Sequence, residues 1–350
     1  MLLLYDSMAS QFEDHKRIVL TQYERDLGAL ERALDAPGQK AKFGHMESFS
    51  RFSPLMRPPP ALLRRTEDAV RGVWAISASG KNSLEEGLLR AVAYSGDPSS
   101  LPFFREAIAH TRARDTMTTK RRRWAVAGIA FIAFKSGAPE ASAQLDALLV
   151  HDDLRVRTWA VDAIARTRRT KANKLTAKAA ELLARVAQDD RAFEPRFVAR
   201  NHLNADGREV AAEPPGGVYA FKATIARASR TVELKSEQTL DRLAWAIVGA
   251  FGWDNDHLFA FTLSTELEDD VFETAHEGNP WGDGGTEDGP LSMPVGALGL
   301  VVGHRFTLLY DFGDHNVFSV QLVDVKEKGD ARKAYPRVAA KEGAAPKQYR

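Results

Sequence analysis

The sequence predicts a multidomain chain: an all-α helical-repeat region followed by an α+β domain. Two observations carry that expectation. Near the middle, Arg122-Arg123-Trp124-Ala125-Val126-Ala127-Gly128-Ile129-Ala130 realigns on Arg157-Thr158-Trp159-Ala160-Val161-Asp162-Ala163-Ile164-Ala165 at an offset of 35, with six of nine positions identical. A period of that length belongs to helical-hairpin arrays, in which each unit buries its apolar face only against its neighbours. Further on, the helical spacing of apolar residues gives way to alternation from Val218 to Ala226, the period of a strand.

The composition agrees with two folding units. The 350 residues exceed a typical single domain, and 44% hydrophobic with 27% charged residues is an ordinary globular profile. Up to Glu213 there are 34 basic and 27 acidic residues, and beyond it 14 and 20, so the halves carry +7 and −6. Cysteine is absent, which excludes disulfides, thiolate catalysis and sulfur-based metal sites. The expected location is the cytoplasm, with no cofactor. The apolar opening Met1 to Tyr5 meets Asp6 at once and reads as no export signal. The longest uncharged apolar run, Trp124 to Phe134, is far short of the roughly 20 residues of a membrane span, so no membrane partner is expected.

In order along the chain, Phe12, Ile18, Val19, Tyr23, Leu27, Leu30 and Leu34 suit one amphipathic helix over Ser10 to Ala36. Residues 39–60 are irregular and end in three prolines, so residues 1–60 are read as a helix and linker. The repeat region is assigned to 61–203, with helices expected at Ser83–Ser95, Ser99–Arg112 and Leu175–Gln188 beside the two matched ones. The second copy runs Leu145 to Asp153 and then Val156-Arg157, which resembles the HEAT-repeat pattern of a helix, an Asp-bearing turn and a Val-Arg helix. Asp189-Asp190 before Arg196 to Ala199 reads as a further unit. Trp124 and Trp159 hold equal repeat positions and are expected in the core. Residues 204–217, with Glu213-Pro214-Pro215-Gly216-Gly217, break helix and form the boundary.

The second domain is assigned to 218–350. Thr231 to Leu234 is expected to pair with the first strand, and Thr239 to cap a helix Leu240 to Phe251. His257 to Ser264 reads as a strand, Glu266 to Gly289 as an acidic glycine-rich excursion, and Arg305–Tyr310 with Val317–Val325 as a hairpin.

Three segments in this region carry a resemblance: Ala250-Phe251-Gly252-Trp253 with Asp256-His257-Leu258, then Tyr310-Asp311-Phe312-Gly313-Asp314, then Tyr335-Pro336-Arg337. Together they resemble the plasmid pRiA4b ORF-3-like family over roughly Gly217 onward. The resemblance implies an α+β fold and a plasmid or mobile-element setting, and names no reaction. The chain departs from many members at Asn316 and Phe318, where they place Trp and His, and at Ala345-Pro346-Lys347-Gln348, where they carry Pro-Pro-Glu-Asp.

Two clusters bear on chemistry. Asp311, Asp314 and His257, with Asp254 and Asp256, have residue types suited to a metal or an acid–base pair, while Asp and Gly at such spacing equally build turns. Lys120, Arg121, Arg122 and Arg123, with Arg166, Arg168, Arg169, Lys171 and Lys174, offer cations to phosphates. The acidic run Glu266 to Asp270 lacks the ligand spacing of an EF-hand. No phosphate-binding glycine loop, nucleophile elbow or His-Glu-x-x-His is present. The leading expectation is therefore a non-enzymatic interaction protein that binds a protein partner through its repeats. A nucleic-acid-associated factor and a metal-dependent enzyme using Asp311, Asp314 and His257 are the alternatives.

Overall fold

Leu62, Leu63, Val70, Val73 and Trp74 recur at helical spacing after Pro60, and they are the buried side of a helix, Pro60–Ala75. It belongs to a computed structural model that describes residues 2–35, 58–75, 81–110, 117–208, 210–267, 270–275 and 290–349. The expected linker over 39–57 and most of the acidic excursion lie outside the described residues. The chain divides into two compact units, Met1–Arg168 and Arg169–Arg350.

The first unit is helical: α1 Leu2–Asp35, α2 Pro60–Ala75, α3 Lys81–Ser95, α4 Leu101–Ala109, α5 Thr118–Ser136, α6 Pro139–Ala147 and α7 Leu154–Thr167. Helix α1 buries Val19, Tyr23, Leu27 and Leu30 and packs on α2, where the Tyr23 and Thr66 hydroxyls meet at 3.0 Å. Helix α5 is the centre, packing against α3, α4, α6 and α7. Of the matched repeat positions, Ala125, Val126 and Ile129 and their counterparts Ala160, Val161 and Ile164 are fully buried. The tryptophans are not: Trp124 and Trp159 are half-buried, against expectation. At 100° per residue they sit on the flank opposite the Val-x-x-Ile stripe that meets neighbouring helices.

The repeats differ where Gly128 replaces the alanine of the second copy, Ala163. A Cβ at Gly128 would overlap the ring of Phe104, which is itself fully buried. Alanine favours helix by about 1 kcal/mol over glycine, but overpacking a core typically costs about 1–3 kcal/mol. Gly128→Ala is therefore expected to lower the denaturation midpoint of this unit. An unchanged or higher midpoint would mean that the Phe104 ring yields.

The second unit opens with α8 Ala177–Asp189 and α9 Phe193–Ala205, which the sequence assigns to the repeats. They belong with the sheet because α9 presents Phe193 and Phe197 to Phe272 and Phe193 to His304. Buried Glu194 accepts the Ser264 hydroxyl at 2.8 Å, and buried Arg200 donates to the Ala297 carbonyl and to Glu213. The sheet contains β1 Val218–Ile225, β2 Ala228–Lys235, β3 Phe259–Thr262, β4 Glu273–Ala275, β5 Arg305–Tyr310, β6 Asn316–Lys326 and β7 Arg337–Glu342. All pairs are antiparallel, in the order β4-β3-β5-β6-β1-β2-β7.

Helix α10, Leu240–Ala250, covers one face, with Trp245 against Phe259 and Phe251, just past its end, against Phe318. That face buries Phe221, Val232, Phe261, Phe306, Leu308 and Val320, the alternate positions of their strands. Thr239 precedes α10 as expected but makes no backbone cap, because its hydroxyl is bonded to the Asp241 carboxylate. The architecture is thus a helical region followed by a seven-stranded antiparallel sheet with its helix, as the repeat and the change of period predict. Among the described residues no helix is long and apolar enough to cross a membrane.

Candidate functional site

The end of β5 turns sharply because Asp311 takes a left-handed conformation, φ +61°, as does His315 at +54°. Asp is among the residues that tolerate this region. Asp311 stabilises its own turn: Oδ1 accepts Gly313 N at 2.8 Å and Asp314 N at 3.3 Å. Oδ2 faces away from the turn, 3.6 Å from His257 Nε2. Asp256 Oδ1 lies 3.5 Å from the same nitrogen, which is buried and lacks a hydrogen bond. The imidazole is therefore flanked by two carboxylates at ion-pair range.

Tyr310, fully buried at the end of β5, organises the loop that carries His257. Its hydroxyl accepts Asp256 N at 3.1 Å and His257 N at 3.2 Å and donates to the Asp254 carbonyl. Residues from Pro346 to Tyr349 close over this loop. Trp253 Nε1 donates to the Pro346 carbonyl at 2.8 Å, and the Gln348 amide pairs with both the N–H and the carbonyl of Asp254. Gln348 Nε2 and the Tyr349 hydroxyl then both donate to the Asp256 carboxylate, at 3.0 and 2.6 Å.

These bonds hold Asp256 below the ordinary aspartate range, the Tyr349 hydroxyl being the main cause. The same bond pushes Tyr349 up to about 12. A folded-state value raised above the usual tyrosine value of about 10 means the contact is fully present below that pH and is lost as pH rises through 12. NMR titration of Tyr349 should give a midpoint near 12, moving toward 10 in Asp256→Asn. An ordinary midpoint in the parent protein would show that the contact does not form.

Of the residues the sequence singles out, the structure gathers Trp253, Asp256, His257, Tyr310 and Asp311 in one corner. Phe312, Gly313 and Asp314 form the exposed turn, and the Asp314 carboxylate does not join His257. Tyr335 and Pro336 lie before β7, four strand spacings from β5, or roughly 19 Å. There the Tyr335 carbonyl accepts Gln238 Nε2 and its hydroxyl accepts Asp330 N. Among the described residues no group of three or more His, Asp or Glu side chains is disposed to hold a metal ion. Of the three candidates Asp311, Asp314 and His257, Asp311 and His257 meet, while Asp314 stands in the exposed turn. Gln348 and Tyr349, which complete the corner, are separated from Asp256 by more than ninety residues and carry no local signal.

The basic cluster of the first unit is dispersed by folding. Arg121 is fully buried, its Nε 2.6 Å from Glu85, so it cannot serve a phosphate as the cluster suggests. Arg122 is drawn to Asp153 and the Ile108 carbonyl, and Arg168 to Asp146. Lys120 meets Glu86 at 2.7 Å. Burial alone would raise Glu86, but Lys120 and the Trp124 indole hold it below the ordinary range. Arg123 is exposed, and Arg169, in the second unit, donates to the Asn173 carbonyl.

The outward faces of α3, α5 and α7 also carry aromatic side chains. Trp124 meets Tyr94 edge-on at 5.6 Å under the Arg90 guanidinium, and Phe131 meets Tyr94 in a second T-shaped contact at 5.4 Å beneath Lys135. Phe134 is 65% exposed one turn further. On α7 the equivalent of Trp124 is half-buried Trp159.

The fold is thus that of a helical region followed by an α+β domain with an antiparallel sheet, whose Tyr-Asp turn positions an Asp–His–Asp cluster. Residues 220–348 match the family model described as plasmid pRiA4b ORF-3-like protein, so the C-terminal part of the chain carries a domain like that of this family. No curated protein matches the chain. A similar solved structure is the protein of unknown function MM3350 from Methanosarcina mazei Go1. It is 22% identical, with a TM-score of 0.29, covering 37% of this chain and 71% of that one.

Proposed function

We propose that this is a cytoplasmic, non-enzymatic interaction protein that binds a protein partner over the outward faces of α3, α5 and α7. The observation that carries the reading is the half-exposure of Trp124 and Trp159 at equivalent positions of consecutive repeats. Large aromatic side chains kept at a surface, beside arginines, are the composition of binding hot spots. The hairpins α4–α5 and α6–α7 are proposed to be HEAT-like, supported by Asp153, which caps α7 through Arg155 N while pairing with Arg122 of the preceding unit. Such stacks present an extended surface along their second helices.

The test is photo-crosslinking in the native cells, from a benzophenone amino acid placed at position 159 or, as a control on another surface, at the 84%-exposed Val150. Discrete protein adducts from position 159 but not from 150 are expected. Adducts to nucleic acid alone, or none at 159, would overturn the reading.

A further inference from the structure

We infer that the face bearing Trp124 and Trp159 takes an acidic peptide segment with large apolar side chains at regular intervals, an assignment that rests on the interaction reading above. The first support is charge. Arg90, Lys120, Arg123, Lys135, Arg155 and Arg166 lie on the outward sides of the three helices, against only Glu86 and Asp162. By the 35-residue equivalence Lys120 corresponds to Arg155 and Trp124 to Trp159, so a cation stands one turn before each tryptophan. A partner covering this face meets the same pair twice, cation then indole.

The second support is spacing. Trp124 and Phe131 are seven residues apart on α5, or about 10 Å at 1.5 Å per residue. Neighbouring packed helices are also about 8–10 Å apart. A peptide in the polyproline II conformation, with three residues per turn and about 3.1 Å per residue, therefore presents an apolar side chain to each anchor when every third residue is apolar. The residues between are left to meet the cations, and carboxylates complement them.

The same face is poorly made for nucleic acid. The Trp124 ring meets Tyr94 edge-on and carries the Arg90 guanidinium over one face, so it offers less of a stacking platform than base recognition uses.

Fluorescence anisotropy on the full chain tests the assignment with four labelled probes. These are an 18-residue peptide with Leu or Phe at every third position and Glu between, its Glu→Gln version, its apolar→Ser version, and an 18-residue oligothymidine. The acidic apolar peptide is expected to bind saturably, and both altered peptides at least ten-fold more weakly. Affinity for it should fall at least ten-fold in Trp159→Ala and in Arg123→Glu/Arg155→Glu, with circular dichroism unchanged, and persist in Val150→Ser. Equal binding of the Glu and Gln peptides, lost in Trp159→Ala, would overturn the acidic assignment and leave the interaction reading standing. Tighter binding of the oligothymidine, or no binding of any probe, would also overturn it, and crosslinking at position 159 decides the broader reading independently.

Discussion

Glu85→Ala is expected to destabilise the first unit by about 3–5 kcal/mol, because it strands a fully buried guanidinium. Glu85 and Arg121 have no exposed side-chain surface, and their bond joins α3 to the central helix α5. Trp74 Nε1 donates to the same carboxylate oxygen at 3.0 Å, and its ring lies 5.3 Å under the Arg121 guanidinium. Three helices therefore converge on one oxygen. For a unit of this size such a loss corresponds to a fall in Tm of roughly 10 °C, visible by calorimetry of the full chain as a downward shift of one transition. Glu85→Leu combined with Arg121→Met should recover most of the loss, since a buried pair often has no net advantage over apolar residues of similar volume. A single Glu85→Ala variant within 1 kcal/mol of the parent would show that water reaches Arg121.

In the second unit the largest effect is expected at Arg230. This buried β2 residue donates to the Ala250 carbonyl at the end of α10 at 3.1 Å, and to the Ser229, Glu342 and Gly343 carbonyls at 2.7, 3.0 and 3.2 Å. Its guanidinium also lies 4.8 Å over the Phe251 ring. Arg230→Met keeps the apolar stem and removes every donor, leaving carbonyls of three elements unsatisfied, at a cost of about 2–4 kcal/mol. The cation at the helix C-terminus is lost as well. Because among the described residues β7 is hydrogen-bonded to the sheet only through β2, amide exchange over 337–342 should accelerate more than that of β5 or β6. Arg230→Lys should recover only part, since an ammonium cannot span a fork of carbonyls. Uniform acceleration across all strands would assign Arg230 to general packing instead.

Local pattern made several elements legible. Alternation located β5, which runs from Arg305 to Tyr310 as read, and most of β1 and β6, since one buried face imposes a period of two on each strand. Strand β7 escaped notice because Arg337 to Glu342 is exposed on both faces at the sheet edge and has no alternation to detect. β4 is three residues long, inside an acidic stretch. The candidate corner was half legible: Asp311, Asp256 and His257 stand out by residue type. That Asp314 turns outward, and that Gln348 and Tyr349 complete the corner, depends on chain segments meeting across the domain.

By itself, then, the sequence determined the class of each half, helical and then α+β, because hydrophobic period is a property of consecutive residues. It determined equally that Trp124 and Trp159 are equivalent. Only the tertiary structure decided that both lie at a surface, that Arg121 in a run of four cations is buried while Arg123 is exposed, and that α8 and α9 join the sheet. Each of those outcomes depends on which neighbour covers a side chain, and a side chain three or four positions along a helix from another shares its face whatever its charge.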